Sequence, residues 1–131
     1  MPPTKEVVLS DSSPKPFPVM PFSAAVKCNG FVFCSGNIGV DPVSLKVIEG
    51  PIQDRTRQAL KNITGVLKDA GSSIENIVKI NVYLTSMTNF GAMNEAYLEF
   101  FPGDSLPART CVAVKELPLG TDVEIECTAH L

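Results

Sequence analysis

The chain has 131 residues, a formal net charge of -3, and 44% hydrophobic against 19% charged residues. That is the length and composition of one globular domain able to bury roughly two-thirds of its unfolded surface, and its acidic balance argues against a general nucleic-acid surface. No apolar run approaches the ~20 residues that cross a bilayer. "MPPTKEVVLS" lacks both an apolar signal core and an arginine-rich amphipathic pattern, which points to the cytoplasm and leaves an organelle such as the mitochondrion open.

In chain order, the stretch from Asp11 to Phe22, which ends "PKPFPVMPF", holds four of the eleven prolines. Proline removes amide donors and restricts the residue before it, so this piece is predicted to be an extended loop over the body of the domain. Asn29-Gly30 then joins "SAAVKC" to "FVFCSG". Asn-Gly between apolar runs signals a type I′ hairpin, in a register that sets Cys28 against Phe31 and Ala25 against Cys34. "PIQDRTRQALKNITGVLKDAG" is predicted to be a helix, because Ile52, Ala59, Leu60, Ile63, Val66, Leu67 and Ala70 form one apolar stripe. Pro51 starts it and Gly71 stops it.

"NIVKINVYLT" is predicted to be a strand in which Val78, Ile80, Val82 and Leu84 alternate with Lys79, Asn81 and Tyr83. A second helix is expected over about Asn89 to Phe101, with Phe90, Met93, Tyr97, Phe100 and Phe101 on one side. Two strands close the chain, Ala108 to Glu116 and Val123 to His130, joined by the turn "LPLGTD". The order reads β-β-β-α-β-α-β-β: a single α+β domain over residues 1–131, a mixed sheet with two helices on one face. "FVFCS" is nonetheless apolar on both faces, Phe31 and Phe33 on one and Val32 and Cys34 on the other. A second chain is therefore expected to cover the face that the helices leave open, giving a closed homo-oligomer.

Few residues are candidates for chemistry. The four cysteines, Cys28, Cys34, Cys111 and Cys127, form no C-x-x-C pair, and the single histidine, His130, is next to the C-terminus, so neither zinc nor any other metal is expected. Disulfides are not expected either, and the thiols read as buried and reduced. Arg109 opens a strand face that continues with Cys111 and Ala113. It is either an edge charge that snorkels to water or a planar fork for a carboxylate. Asn94 shares the apolar stripe of the second helix, where its amide needs partners, in a nearby backbone or in a ligand. Glu124 and Glu126 share one strand face. Both are solvated there, or one lies partly buried near Arg109 and holds or polarises a water. Ser35-Gly36 ends a strand, as a plain turn or as a place where a ligand approaches the backbone.

The segments "FVFCSGNIGVDP", "TRQALKNITGVLKDAGSS", "VKINVYLTSMTNFGAMNEAY", "PARTCVAV" and "LPLGTDVEIECTA" together resemble the RidA/YjgF family of reactive-intermediate deaminases, in the family's order and over nearly the whole chain after Phe22. The resemblance implies a chorismate-mutase-like fold and a homotrimer whose sheets form a barrel-like centre, with sites in the clefts between subunits. It implies hydrolysis of enamines and imines such as 2-aminoacrylate and 2-iminobutyrate to 2-oxoacids and ammonia, with no cofactor. By the same resemblance Arg109 grips the substrate carboxylate and Glu124 holds the attacking water. Ser35, Gly36, Asn94 and the backbone of Cys111 line the site. The family's "PYSQA" tyrosine is replaced here by Phe22 in "PFSAA", which keeps an apolar wall and loses a hydroxyl. Asn37 stands where glutamine is more usual. Two other readings accompany this one: a non-catalytic trimer that binds small carboxylates, favoured by Phe22, and an RNA-directed role, disfavoured by the acidic balance.

Overall fold

Chain order in the computed structural model, which describes residues 4–11 and 20–131, is β1 (Glu6–Val8), β2 (Ala25–Cys28), β3 (Phe31–Ile38), α1 (Ile52–Asp69), β4 (Ile77–Leu84), α2 (Phe90–Leu98), β5 (Ala108–Ala113) and β6 (Val123–His130). This is the β-β-β-α-β-α-β-β order read from the sequence. The loop expected over Asp11–Phe22 falls largely on residues 12–19, outside the described residues. Asn29 (φ 51°) and Gly30 (φ 82°) form the turn, and the hairpin pairs Ala25 with Cys34 and Cys28 with Phe31, as predicted. All strands join one six-stranded mixed sheet in the order β1-β2-β3-β6-β4-β5. Only β4 and β5 run parallel.

α1 follows its apolar stripe: Ile52, Ala59, Leu60, Ile63, Val66, Leu67 and Ala70 are all buried. It ends in a Schellman turn, with the Ser72 amide donating to the Leu67 carbonyl at 2.8 Å and the Gly71 amide to the Lys68 carbonyl at 3.0 Å. Gly71 takes the positive φ (85°) this turn requires. Two polar residues are buried beside that stripe. Thr56 is one. The other, Asn62, donates to the Val40 carbonyl at 2.9 Å and accepts from Gln58 Nε2 at 2.9 Å. Arg55 holds the same loop from the other side, donating to the Ile48 and Gly50 carbonyls and bidentately to Asp122 at 2.7 Å for each bond. Together they fasten the segment after β3 beneath the helix.

Three boundaries differ from expectation. β4 carries an irregularity between Ile77 and Lys79. It turns Ile77 into the core and leaves Val78 42% exposed, so strict alternation fails at that point. α2 is shorter than Asn89–Phe101, because a 3-10 turn over Met87–Asn89 precedes it, and tight bonds from the Glu99 and Phe100 amides follow it. Phe101 still packs on Tyr97, ring centroids 4.7 Å apart. β5 stops at Ala113, short of Glu116, with one further bond from the Val114 amide to the Leu84 carbonyl at 2.7 Å.

The core is the layer between helices and sheet: Val32, Cys34, Ile80, Val82, Leu84, Val123, Ile125, Cys127 and Ala129 from the strands against Leu60, Ile63, Leu67, Met93 and Tyr97. The opposite sheet face is open in the single chain, with Phe31, Phe33 and Val112 exposed on it. Gly39 sits where the chain passes under α1. A Cβ there would lie 2.6 Å from both the Cα and the carbonyl oxygen of Arg55, backbone atoms that a helix cannot move cheaply. Gly39→Ala is expected to lower stability by about 1–3 kcal/mol, seen as a reduced urea midpoint with an unchanged slope. An unaltered midpoint would contradict this packing.

Candidate active site

Arg109 is the second residue of β5, an edge strand. It is in register with Ile80 of β4, so its side chain lies on the helix face. There α2 meets it. Arg109 donates from Nη1 to Asn94 Oδ1 at 2.7 Å. Its guanidinium also lies over two rings of the same helix, 5.4 Å from the centroid of Phe90 and 4.7 Å from that of Tyr97. The Arg109 fork is thus held by α2, and Asn94 spends its amide oxygen on it. Among the described residues no carboxylate pairs with Arg109. Arg109 is a half-buried planar cation beside two aromatic rings, with Nη1 engaged by Asn94. Burial pushes the Tyr97 phenol up, and the charge of Arg109 pulls the other way. Burial likewise pushes up the thiol of half-buried Cys111, two residues along the same face, and Arg109 again opposes.

Glu124 and Glu126 occupy the other face. They are opposite Tyr83 and Asn81 of β4 in the antiparallel register. Glu126 accepts from Asn81 Nδ2 at 3.1 Å and from the Tyr83 hydroxyl. The Tyr83 phenol is pushed up to about 12, first by that bond and then by burial and the charges of Glu126 and Glu124. Glu124, by contrast, accepts no hydrogen bond among the described residues. Burial, and then the charge of Glu126, raise its carboxyl above the usual carboxylate range. Gly36 makes room for it: a Cβ at Gly36 would meet Glu124 Oε1 at 2.2 Å. The register of β3 against β6 shifts between Cys34 and Asn37, and Ser35 in that shift donates its hydroxyl to the Ser23 carbonyl at 2.6 Å. Asn37 donates its amide to the Ser35 carbonyl at 3.2 Å.

Within one chain the predicted residues thus form two groups. Arg109, Asn94 and Cys111 belong to the helix face; Glu124 and Gly36 meet on the open face, with Ser35 beside them in β3. Neither Glu124 nor Glu126 approaches Arg109, because the sheet stands between them. Phe22 is exposed, just before β2. Reading the sequence missed Phe90 and Tyr97 as partners of Arg109, placing them only in an apolar stripe, and it missed Asn81 and Tyr83 as partners of Glu126. The alternation of β4 held the signal for the second pair. The four cysteines are free. Cys34 and Cys127 face each other across β3 and β6 inside the core, and a hydrogen bond between the two thiols, then burial, pushes the Cys127 thiol upward.

This sheet and these two helices define a small α+β protein of the Rid type. Residues 12–131 match the family model described as Endoribonuclease L-PSP, and the chain belongs to that family. It is 49% identical over 121 residues to the mitochondrial protein mmf1 of Schizosaccharomyces pombe, covering 90% of this chain and 73% of the relative. It is 42% identical over 114 residues to the 2-iminobutanoate/2-iminopropanoate deaminase of Mus musculus, covering 87% and 84%. Among solved structures, TdcF of E. coli with bound serine superposes with a TM-score of 0.89 at 30% identity, covering 96% of this chain and 98% of that one.

Both tyrosines of the chain have phenols raised above their ordinary value of 10. The near-ultraviolet phenolate absorbance of the folded protein is expected to stay low at pH 10. In Glu126→Gln, the Tyr83 step should return toward that value. A full phenolate rise at pH 10 in the unaltered protein would contradict the Tyr83–Glu126 bond.

Proposed function

We propose that this protein is a hydrolytic deaminase of small 2-imino and enamine acids, of the 2-aminoacrylate and 2-iminobutyrate type, yielding a 2-oxoacid and ammonia without a cofactor. The observation that carries the reading is Arg109: a guanidinium fixed by Asn94 and two aromatic rings, with no carboxylate partner among the described residues. Such a fork binds a substrate carboxylate in a set orientation. The name of the mouse relative, and the serine bound in TdcF, support a small amino-acid-like ligand.

The proposed chemistry follows from the two half-sites. Arg109 fixes the carboxylate, Asn94 and Cys111 line that end, and Ser35, Gly36 and Phe22 line the other. The enamine tautomerises to the imine. The oxygen of a water held at Glu124 bonds to the imine carbon as the π pair moves to nitrogen, and one water proton passes through Glu124 to that nitrogen. The hydroxyl then gives up its proton to the nitrogen, the C–N bond breaks, and ammonia leaves as the carbonyl forms. Both protons gained by nitrogen come from the one water. A carboxyl raised by burial suits this exchange, and its base form is lost as the pH falls through that raised value.

Because the two half-sites lie on opposite faces of one sheet, the proposed site takes Arg109 from one chain and Glu124 from another. A closed homo-oligomer, a trimer by resemblance, would also cover Phe31, Phe33 and Val112. No helix among the described residues is long and apolar enough to cross a membrane. The cytoplasm is the proposed location, with an organelle as the alternative that the mitochondrial relative suggests.

The test is the loss of 2-iminobutyrate generated in situ by a threonine dehydratase. The protein is expected to accelerate it, and Arg109→Ala to cut the acceleration about a hundredfold or more. Arg109→Lys should restore little, since an ammonium cannot replace the fork. A rate equal to the spontaneous background would overturn the reading. Saturable 2-oxobutyrate binding without turnover would select the non-catalytic carboxylate binder, the reading that Phe22 favours. Phe22→Tyr is expected to raise turnover by about ten- to a hundredfold if the missing hydroxyl orients substrate or water.

A further inference from the structure

The deaminase reading uses Glu124 and leaves the cluster beside it unexplained. Asn81, Tyr83 and Glu126 stand together on the open face. Two side-chain donors converge on one Glu126 oxygen, Oε1, while Glu124, two residues along the same strand, receives none among the described residues. Two carboxylates on one strand face would otherwise compete for the same proton. Here the two are unequal by construction, because Glu126 is tied down by two donors and Glu124 by none among the described residues.

We propose that Asn81, Tyr83 and Glu126 form a positioning set that fixes a negative charge beside Glu124 and so makes Glu124 the carboxyl that takes up and returns the proton of the reaction. The proposal rests on the deaminase reading for the reaction and on this cluster for the assignment. Asn81 and Tyr83 are adjacent on the open face of β4, in register with Glu126 and Glu124 respectively, so the clamp is carried by rigid paired strands. The groups facing Glu124 are few. β6 supplies Glu126 and β4 supplies the Tyr83 phenol. β3 supplies Gly36, whose missing side chain gives the carboxyl its space, and no titratable group. Lys79 of this face is turned away to Thr110 Oγ1 at 2.9 Å. In the proposed assembly, Arg109 of the adjacent subunit is the counter-charge, engaged by the substrate carboxylate and unaltered by the substitutions below.

The experiment has two arms. Carboxyl-labelled glutamate in the whole protein is titrated by carbon NMR, with Glu124 assigned by its loss in Glu124→Gln. The pH profile of kcat/KM for imine hydrolysis is measured in parallel. In the unaltered protein, Glu124 is expected to take the first proton of the pair. Glu126→Gln removes the like charge, so the Glu124 titration and the acidic limb of the profile should both move to lower pH. Tyr83→Phe keeps the charge but loosens the clamp that holds it beside Glu124, so the Glu124 titration should move in the same direction by less. A purely structural role for Glu126 would lower activity at all pH values and leave the profile in place. A Glu124 titration unmoved in both variants overturns the proposal. The NMR arm decides it even where no turnover is found, and turnover with an unmoved titration sinks the proposal while leaving the deaminase reading intact.

Discussion

The constraint on which the rest depends is side-chain alternation along β6. This strand lies inside the sheet, paired on both sides. Val123, Ile125, Cys127 and Ala129 are buried against the helices, which leaves Glu124, Glu126 and Thr128 on the open face. A slip of one residue would exchange the two sets and drive two carboxylates into an apolar core, so the pattern pins the register. The neighbouring strands adapt to β6. β3 shifts register between Cys34 and Asn37 and β4 between Ile77 and Lys79.

From that alternation comes a division of labour. The helix face receives Arg109 because β5 continues the register of β4, and α2 then closes over it with Asn94, Phe90 and Tyr97. The open face receives Glu124 and its neighbours from β3 and β4. Arg55 and Asn62 act at a distance from both groups. By fastening the chain after β3, they fix where Ile38 and the strand before it lie, and Ile38 pairs with Glu124. In the proposed assembly, anion binding and proton transfer are therefore contributed by different elements of different chains, and the exposed Phe31, Phe33 and Val112 of the open face bring those chains together.

Much of this was legible in the sequence, and the failures have physical causes. The Asn29-Gly30 hairpin, its register, the stripe of α1 and the bounds of β6 follow from turn chemistry and periodicity, which are local. Val78 was misplaced because a bulge interrupts a period-two pattern without any glycine to mark it. The expected end of β5 overruns because Val114 still reads as strand, although β4 ends at Leu84, whose carbonyl takes the last bond from the Val114 amide. The contact between Arg109 and Asn94 joins a strand to a helix, and no spacing rule reports it. The distance between Arg109 and Glu124 was hidden for the same reason. It depends on the registers of β5 and β6 against β4, which set the two residues on opposite faces.

The central claim, that one site needs Arg109 from one chain and Glu124 from another, is tested most directly by complementation. Arg109→Ala and Glu124→Gln, each expected to be inactive alone, are unfolded together in equal amounts and refolded. One ordered interface in four then unites an intact Arg109 with an intact Glu124, so the mixture should recover about a quarter of the unaltered activity, while each variant refolded alone recovers none. A mixture as inactive as its components would contradict a site shared between chains.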